Sequence, residues 1–466
     1  MTLPRFAAFK SNNNGKYLNC VRSDDATIPN FVQYGSNELA TTFTKFSIEA
    51  ANIGKNLFHI RNIYNQKYLR AESSSSRWIC ATALEPNEDQ SNWDCTLFRI
   101  TYNSFGPGYE LVHIYYGKPV ELNNDLSTRP SCLYIFPDSS TYANHAILDW
   151  EIMSVLPQHV VFKGDNNKYL KIHSQDSHDY LRFYQDDPHH SSVQHEVVIT
   201  SDGKIRIKGP NNKFWRAAPN WIWSDSSDTT TDNPSTLFQP YKISNNVICL
   251  RNMGMNYFCG RISGDWKEDC LKADQNAMSA PTKLTVEEAL ISRSIYNVQY
   301  RLSDGRIYGE NVMTMDFQGA ANGSNEVNKM GFTFSYEEEE SQCWNSTVGM
   351  KLDYSLTMEA GIPFIVDTNI EITGSFSGSY TWGETHKKST PKGPTYSIEV
   401  KPRTSIKVGL VATKGYCDVP FSYTQRDVLV DGQTRITEHD DGLFTGVNCY
   451  NFHYQAEEAK PLSTTI

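Results

Sequence analysis

A short motif recurs six times in the first 290 residues, and this repeat limits the possible folds more than any other feature of the chain. In most copies an Asn precedes a Lys by two positions, and an apolar pair follows the Lys. The copies are NGKYL at Asn14, NQKYLR at Asn65, YGKPVEL at Tyr116, NNKYLK at Asn166, NNKFWR at Asn211 and NYFCGR at Asn256. A motif that recurs every 44 to 51 residues marks supersecondary units, which bury a core by packing on their neighbours.

The spacing of the motif is regular but changes halfway along the repeat. Positions 16, 67, 118, 168, 213 and 257 are separated by steps of 51, 51, 50, 45 and 44 residues. A second marker, two apolar residues that flank one variable residue, closes each unit in the same register. Its pairs are Phe46 and Ile48, Phe98 and Ile100, Trp150 and Ile152, Val197 and Ile199, Tyr241 and Ile243, and Leu284 and Val286. Two markers in one register indicate six equivalent units.

Each unit contains short stretches in which apolar and polar residues alternate, separated by clusters of Asn, Asp, Gly and Ser. Such a unit is about four strands, and the six units divide as three plus three where the spacing shortens after Trp150. Three four-stranded units make a β-trefoil. We therefore predict an all-β chain that begins with two tandem β-trefoils. A six-bladed propeller is the alternative, because its blades have a similar length.

Three segments resemble the amaranthin family of plant agglutinins: SNNNGKYL at Ser11, NEDQSNWDCTLF at Asn87 and NNKFWR at Asn211. The likeness covers about residues 1 to 290 and keeps the order of the segments. It implies two β-trefoils per chain, head-to-tail dimers, and binding of glycans that contain galactose or N-acetylgalactosamine. In that family the sugar meets the loop after the second copy of the motif, facing the second trefoil of the partner chain. In this sequence that loop is Ser73 to Trp78.

A sugar site needs an aromatic plane for the apolar face of the pyranose ring and fixed polar groups for the hydroxyls. In the loop that the resemblance identifies, Trp78 is the candidate for the first role. Ser75, Ser76 and Arg77 are the candidates for the second role. Ser75 and Arg77 stand where the family has Asn and an aromatic residue. Burial of Trp78 in the core is the alternative, because Trp is highly buried on average.

A second Trp-rich segment, RAAPNWIWSD, lies in the second half of the repeat. Trp221 and Trp223 are predicted to complete the sugar site or a dimer interface, because large aromatic side chains serve in both. Core packing is the alternative for them. No metal or cofactor is expected, since the chain has no CxxC pair and its histidines between His173 and His195 lack the spacing of a helical H-x-x-x-H pair.

After Glu288 the motif stops, and two long stretches alternate strictly between apolar and polar residues. In the first stretch the even positions are apolar: Val348, Met350, Leu352, Tyr354, Leu356, Met358 and Ala360. From Ile370 to Trp382 the even positions are again apolar or Gly, and the odd positions are Asn, Glu, Ser or Thr. The pattern predicts an amphipathic β-hairpin over residues 348–382.

The segment between the two stretches, Gly361 to Thr368, is apolar, whereas an ordinary hairpin turn in water favours Asn-Gly or Asp-Gly. We therefore predict a membrane-insertion tip of five residues: Ile362, Pro363, Phe364, Ile365 and Val366. Each arm offers about 13 residues, and a tilted membrane-spanning strand needs about 9 to 11. A lone hairpin cannot satisfy its backbone in lipid, so several chains would each donate one hairpin to a closed barrel.

The polar face of such a barrel would line its lumen. Lys351, Asp353, Glu359 and Glu371 are predicted to lie there, repeated once per subunit. The alternative is a hairpin that packs its apolar face permanently on a soluble core. An inserting hairpin must also pack in this way before insertion, because an exposed apolar face of this size would aggregate.

The alternating strand, the apolar segment GIPFIV and the Ser/Thr-rich return strand resemble the pre-stem loop of aerolysin-type β-pore-forming proteins, over roughly Glu288 to Tyr454. The resemblance implies an elongated β-sheet module in a soluble precursor that binds a receptor, assembles into a ring and extends the hairpin into a transmembrane barrel. We predict three domains: amaranthin-like trefoils over residues 1–154 and 155–288, and an aerolysin-like pore-forming domain over residues 289–466.

Charge and motif content argue against several other functions. The formal net charge is -10 and no basic stretch stands out, so nucleic acid is not an expected partner. No enzyme is expected, because the sequence has no P-loop, no HExxH and no dinucleotide fingerprint. The N-terminus resembles no secretory signal, so we expect a cytoplasmic or nucleocytoplasmic protein that meets its target membrane later. In that compartment the ten cysteines are interpreted as small buried hydrophobic residues.

The leading hypothesis is a lectin that carries a pore-forming module to glycan-bearing membranes, as part of plant defence. The trefoils would form a homodimer, and the pore would be a larger ring. Two alternatives remain. One is a non-lytic agglutinin or stress-response lectin whose C-terminal module only oligomerises, and the other is a storage protein that has lost sugar binding.

Overall fold

The computed structural model describes residues 3–22, 29–102, 108–125, 128–137, 144–151, 153, 155–350 and 355–462. Apart from short 3₁₀ turns, every regular element in these ranges is a β-strand, which confirms the all-β class. The chain divides into two compact units. The first comprises Met1–Ser294, Ser346–Tyr354 and Gln425–Asp441, and the second comprises Ile295–Asn345, Ser355–Thr424 and Gly442–Ile466. The three predicted domains are a finer division and stay a prediction.

The first half of the repeat forms one twelve-stranded sheet. Its strands are β1 (Phe6–Ser11), β2 (Tyr17–Cys20), β3 (Val32–Ser36), β4 (Phe46–Ala50), β5 (Leu57–Asn62), β6 (Tyr68–Ser73), β7 (Ser76–Ala83), β8 (Leu97–Tyr102), β9 (Tyr109–His113), β10 (Lys118–Leu122), β11 (Leu133–Ile135) and β12 (His145–Asp149). They are hydrogen-bonded in the order β10-β11-β7-β6-β5-β8-β9-β12-β1-β2-β3, and β4 pairs with β1 and β5.

The second half forms another twelve-stranded sheet. Its strands are β13 (His159–Lys163), β14 (Tyr169–Gln175), β15 (His178–Gln185), β16 (His195–Ile199), β17 (Ile205–Lys208), β18 (Phe214–Ala217), β19 (Ile222–Ser226), β20 (Phe238–Lys242), β21 (Val247–Asn252), β22 (Phe258–Gly264), β23 (Lys267–Gln275) and β24 (Leu284–Glu288). The order is β14-β13-β16-β17-β18-β19-β15-β23-β22-β21-β20, and β24 pairs with β13 and β21.

The remaining strands form a nine-stranded sheet and a two-stranded sheet. They are β25 (Leu290–Tyr300), β26 (Arg306–Asn322), β27 (Asn328–Thr333), β28 (Tyr336–Ser346), β29 (Ser355–Val366), β30 (Asn369–Thr381), β31 (His386–Lys392), β32 (Thr395–Val400), β33 (Thr404–Leu429), β34 (Thr434–Ala456) and β35 (Lys460–Pro461). The larger sheet has the order β30-β29-β25-β33-β34-β28-β31, with β26 and β35 paired to β33, and β27 pairs with β32. The 3₁₀ turns are Thr42–Thr44, Ser191–Val193, Pro234–Thr236, Ala280–Thr282 and Leu302–Asp304.

The repeated motif leads into the second strand of each unit, and its Asn explains why the sequence recurs. Asn14 Oδ1 accepts a hydrogen bond from the Lys16 N–H (3.0 Å), and Asn14 Nδ2 donates one to the Tyr34 carbonyl on the third strand (3.0 Å). Between them Gly15 has a φ of 72°, a left-handed conformation that suits Gly or Asn. The same pair of bonds is made by Asn65, Asn166 and Asn211.

Three such units share one hydrogen-bonded sheet in each half, which is the predicted arrangement of two tandem trefoils. The six-bladed alternative is wrong, because propeller blades are separate sheets. Each trefoil has its own core. The largest fully buried side chains are Tyr34, Tyr68, Phe9, Phe46 and Phe98 in the first and Trp215, Phe162, Phe183 and Phe238 in the second. The closing marker lies wholly on the fourth strand in four units, and in the fifth unit Ile243 directly follows β20. In the third unit Trp150 follows β12 and packs with Ala8, Tyr17 and Leu39.

All ten cysteines lie in the described ranges, and none forms a disulfide. Nine are buried and Cys343 is half-buried, as the interpretation of small hydrophobic residues requires. No helix in the described part of the chain is both long and apolar enough to cross a bilayer.

Two buried histidines occupy the same position in different units, the first residue of the fourth strand. His145 Nε2 donates to the Val120 carbonyl (2.9 Å), and the Tyr34 hydroxyl donates to His145 Nδ1 (2.6 Å). His195 Nε2 donates to the Leu170 carbonyl (3.3 Å). A carbonyl only accepts, so in each ring Nε2 carries the proton. Burial lowers the pKa of both histidines to about 4, and both are neutral at neutral pH.

We expect the trefoils to lose stability as the pH falls from about 6.5 to about 4, because only the unfolded chain binds protons at these histidines in that window. Above the pKa that a histidine has in the unfolded chain, each of the two contributes on the order of 3 kcal/mol to the free energy of unfolding. This contribution is lost as the pH falls toward the pKa in the folded protein. Urea unfolding followed by Trp fluorescence measures this. His195→Gln should show a shallower pH dependence than wild type, and the exposed-site variant His189→Gln should match wild type. Equal slopes in all three proteins would contradict the assignment.

Candidate functional site

The loop that the family resemblance identifies is the turn between β6 and β7. Ser73 lies opposite Ser76, so Ser74 and Ser75 form a two-residue turn, and both are exposed. The Ser76 hydroxyl donates to the Glu72 carboxylate (2.6 Å). The turn therefore presents hydroxyls on a short, hydrogen-bonded hairpin end.

Trp78 is half-buried and lies on β7 beside an ion pair. It is opposite Tyr134, whose ring meets the indole edge-on at 4.7 Å, and the Arg129 guanidinium lies 5.4 Å from the indole centre. Arg129 makes a two-point ion pair with Glu72, at 3.0 and 3.3 Å. Burial alone would raise the pKa of Glu72, but hydrogen bonds from Arg129 and Ser76 outweigh burial and hold that pKa below its ordinary value. The carboxylate is thus ionised and fixed in orientation.

Two tyrosines from the third copy of the motif also border the loop, and the sequence reasoning missed them. The Tyr116 hydroxyl donates to the Ser73 carbonyl (3.5 Å), and the Arg77 guanidinium lies 5.8 Å from the Tyr116 ring. Tyr115 is 41% exposed and meets Tyr116 edge-on at 4.8 Å. The signal in the sequence was the segment YYGK of this copy, in which Tyr116 takes the place of the usual Asn and Tyr115 precedes it. The loop thus combines aromatic rings, hydroxyls, a guanidinium and a carboxylate.

Trp221 and Trp223 in the second trefoil have protein partners on their rings. Trp221 is 6% exposed, and Lys272 Nζ lies 4.7 Å from its ring centre. Trp223 stacks on His178 at 3.8 Å, and the Arg216 guanidinium lies 5.0 Å from its ring. Since β19 runs between β18 and β15, these two partners cover Trp223 from opposite sides. The predicted sugar contact of either indole stays untested.

The amphipathic hairpin is present, but its turn is shorter than predicted. The chain reverses at Asp367-Thr368, with Val366 opposite Asn369, and Asp367 has a φ of 54°. The expected eight-residue apolar turn from Gly361 to Thr368 is therefore wrong. An Asp in the left-handed region favours a tight two-residue turn. The five predicted tip residues, Ile362, Pro363, Phe364, Ile365 and Val366, are instead the last five residues of β29.

The two faces of β29 differ as the alternation predicts. Leu356, Met358 and Ala360 are buried, and Glu359 is exposed, as is Glu371 on β30. A bulge between Ile362 and Pro363 changes the register. Beyond it Pro363 and Ile365 are buried, and Ile362, Phe364 and Val366 are half-buried. The other predicted lumen residues, Lys351 and Asp353, lie outside the described residues.

The half-buried Tyr300 and the buried Trp344 of the second unit hold the hairpin by hydrogen bonds and ring contacts. The Tyr300 hydroxyl donates to the Gly361 carbonyl (2.7 Å) and accepts a bond from Trp344 Nε1 (2.7 Å). The Tyr380 hydroxyl accepts a bond from the Trp344 N–H (2.9 Å), and the Trp344 ring contacts Phe376 at 5.3 Å. These bonds bridge β25, β28 and both hairpin strands.

One side chain holds the end of the hairpin. Asn448 Oδ1 accepts a bond from the Ile365 N–H (3.0 Å), and Asn448 Nδ2 donates to the Ile365 carbonyl (2.9 Å). Its amide thus pairs with Ile365 as a neighbouring strand would. Asn448 is 6% exposed and Ile365 is 2% exposed, so water cannot replace either bond.

The segment that precedes the hairpin is packed on the trefoils within the first unit, and this segment is named the strap (Ser346 to Met350). Val348 packs against the cluster that contains Trp150, and Met350 packs against the core of the second trefoil. The Met350 N–H donates to the Val155 carbonyl (2.9 Å). The sequence assigned Val348 and Met350 to the first hairpin strand. That assignment is wrong, because both are fixed to the trefoils and β29 begins at Ser355.

Comparisons with known proteins gave a family match and distant structural neighbours. The model of the agglutinin domain family matches residues 1–114 and 154–287. Solved structures that are similar include a lamprey immune protein (13% identity, 65% of this chain and 91% of that chain, TM-score 0.32) and an aerolysin-like protein of Bombina maxima (13%, 36% and 99%, TM-score 0.25). Another is the hemolytic lectin CEL-III (10%, 96% and 93%, TM-score 0.30). The curated protein sequences gave no match.

Proposed function

The chain belongs to the agglutinin domain family, and on this premise we propose that its trefoils bind glycans and carry a pore-forming module to membranes that display them. The glycans are of the galactose or N-acetylgalactosamine type. The observation that carries the pore-forming part is the hairpin β29–β30, whose first strand buries its apolar face while the polar residues of both strands are largely exposed.

The glycan-binding part rests on the β6–β7 turn and its surroundings. Trp78 and Tyr115 offer aromatic surface, and the fixed Glu72 carboxylate and the serine hydroxyls offer hydrogen-bond partners. Pyranose rings are recognised by such a combination, since their C–H face is apolar and their hydroxyls both donate and accept.

The pore-forming part requires that the hairpin leave its stored position. Its release breaks the bonds that Tyr300, Trp344 and Asn448 make to the hairpin, and the apolar face must then enter lipid rather than water. Several chains have to insert together, because a single hairpin leaves backbone groups unpaired in a bilayer. The protein accordingly acts as a homo-oligomer, a dimer through the trefoils and a larger ring in the membrane.

The strap supports a link between glycan binding and hairpin release. Val348 and Met350 pack on the trefoils just before the hairpin begins in the chain. A change in trefoil packing on glycan binding or dimerisation would alter the packing of the strap, which precedes the hairpin in the chain. In the setting that we propose, a cytoplasmic or nucleocytoplasmic protein meets a foreign membrane after cell damage, which is a role in plant defence.

Dye release from liposomes tests the proposal. Vesicles of neutral lipid that display a galactose- or N-acetylgalactosamine-terminated glycolipid should leak when the chain is added, and vesicles without the glycolipid should not. Binding without leakage at several pH values and after limited proteolysis would overturn the pore-forming part. Absence of binding to any glycan on an array would overturn the lectin part.

Trp78→Ala should weaken glycan binding roughly tenfold or more, because it removes an aromatic plane of the site. A glycan array and calorimetric titration with the best glycan measure the loss. Tyr102→Ala removes an aromatic residue that is 57% exposed on the same trefoil, away from the loop, and should bind as wild type does. Equal affinity of Trp78→Ala and wild type for the glycan would show that the sugar site lies elsewhere.

A second candidate function is a non-lytic agglutinin whose C-terminal module only oligomerises. The polar reversal at Asp367-Thr368 favours it, because a leading end with an Asp crosses a bilayer at greater cost than an apolar one. Aggregation of glycan-coated beads without leakage from glycan-bearing vesicles would identify this function.

A further inference from the structure

The most exposed large apolar side chain of the described residues is Trp266, at 98% exposure. It lies at the tip of the β22–β23 hairpin, where Gly264 is opposite Lys267 and Asp265-Trp266 form the turn. The φ values of Asp265 and Trp266 are 50° and 63°. A bulky residue is disfavoured in this left-handed conformation, and a fully hydrated indole adds nothing to the fold. A Trp at this position therefore calls for a role outside the fold.

The hairpin that carries Trp266 is held in place by its neighbours within the second trefoil. Gln175 Nε2 donates to the Trp266 carbonyl (3.2 Å). Lys267 Nζ lies 3.6 Å from the Asp176 carboxylate, and Lys272 Nζ lies 3.8 Å from the Asp265 carboxylate. The indole thus projects from a positioned turn, which lowers the entropy lost when a ligand stacks on it.

The internal repeat relates this turn to the predicted sugar loop. The β6–β7 turn follows the second copy of the motif, and the β22–β23 turn follows the sixth. In the first turn Ser73 lies opposite Ser76, and in the other Gly264 lies opposite Lys267. Each has two turn residues, so Trp266 occupies the position of Ser75.

We propose that Trp266 is the aromatic platform of a second carbohydrate subsite, at the β22–β23 turn of the second trefoil. The C–H face of a pyranose stacks on the free indole. Its hydroxyls are within reach of the groups that surround the turn: the carboxylates of Asp265 and Asp176 and the amide of Gln175. This proposal rests on the proposed lectin function and adds to it a second site, apart from Trp221 and Trp223, whose rings contact Lys272, His178 and Arg216.

The chemistry around Trp266 favours a sugar over a membrane. Asp265, Glu268 and Asp176 are mostly exposed, and each is paired with a Lys or Arg, so the cations beside the turn are neutralised and offer little attraction to anionic lipid headgroups. Carboxylates beside one aromatic plane match a monosaccharide, since they accept hydrogen bonds from its hydroxyls.

The test uses the full chain and four variants: Trp266→Ala, Trp266→Tyr, Trp78→Ala and the double alanine variant. A glycan array followed by titration of the best glycan should show roughly tenfold weaker binding for Trp266→Ala, restored by Trp266→Tyr, and a further loss in the double variant. The intrinsic fluorescence of wild type should shift to shorter wavelength with glycan, and the shift should be smaller in Trp266→Ala. Tyr257→Ala, which alters another partly exposed aromatic residue of this trefoil, should bind as wild type does.

The outcomes separate this proposal from the proposed function. If wild type binds glycan and Trp266→Ala binds with the same affinity and the same fluorescence shift, the second subsite is wrong and the lectin function stands. If wild type binds no glycan, both are wrong. If Trp266→Ala keeps glycan affinity but loses binding to glycan-free vesicles of zwitterionic lipid, the indole is a membrane contact and the subsite is overturned.

Discussion

Replacing Phe364 by Asp is expected to abolish dye release from glycan-bearing liposomes while leaving glycan binding unchanged. Phe364 lies near the end of β29, three residues before the chain reverses at Asp367. In a membrane-spanning barrel this end of the hairpin enters the bilayer first. A charged side chain on a lipid-facing strand is destabilising, by less for Asp than the about 2–4 kcal/mol that Lys or Arg costs at the bilayer midplane, but a ring of identical chains incurs that cost once per subunit. We expect the initial rate of release to fall on the order of 100-fold or more.

Phe317→Asp is the matched control for this prediction. Phe317 is 51% exposed on β26, outside the hairpin, and the same substitution there adds the same charge to the same unit. Phe364 is half-buried, so thermal unfolding must show that Phe364→Asp remains folded under the assay conditions. Leakage at the wild-type rate from a folded Phe364→Asp protein would mean that this end of the hairpin does not enter lipid, and the non-lytic agglutinin would then be favoured.

The repeat predicted the trefoils well because the hydrogen bonds that explain the motif join residues close together in the sequence or on adjacent strands. Asn14 bonds to a backbone N–H two residues away and to one neighbouring strand, so the same short sequence recurs wherever that turn is built. The tip of the hairpin was predicted less well. Apolar residues from Ile362 to Val366 indicated an apolar loop, but the reversal is fixed by the left-handed Asp367 and the apolar run continues the strand.

The exposure of the aromatic rings at the candidate sites could not be predicted from the sequence. Whether a Trp ring is free depends on the strands beside it, and these come from distant parts of the sequence. Trp223 is covered because β15 brings His178 against it, whereas Trp266 is free because a tight turn holds it beyond its neighbours. Val348 fits the alternating pattern of the hairpin perfectly and yet packs on the trefoils, because period-2 spacing says which residues share a face but not what covers that face.

Asn448→Leu is expected to speed hairpin release. The substitution keeps the side-chain volume similar but leaves the buried N–H and C=O of Ile365 without their partner. Each of the two unsatisfied groups costs about 1–3 kcal/mol, so we expect the stored form to lose about 2–6 kcal/mol relative to the wild-type chain. Ile365 and its neighbours should then exchange backbone hydrogen faster, and dye release from glycan-bearing liposomes should accelerate roughly tenfold or more. Hydrogen–deuterium exchange over residues 355–381 and leakage kinetics measure the two effects.

His453→Leu is the control on the same strand, since His453 is exposed and its Nδ1 bonds to the Asn451 carbonyl of its own strand. The double variant Asn448→Leu with Phe364→Asp separates release from insertion. If Asn448 only stores the hairpin, the double variant exchanges as fast as Asn448→Leu but does not leak. Faster exchange in Asn448→Leu without faster leakage would show that a step other than hairpin release limits insertion, and the strap contacts of Val348 and Met350 on the trefoils would then be tested next.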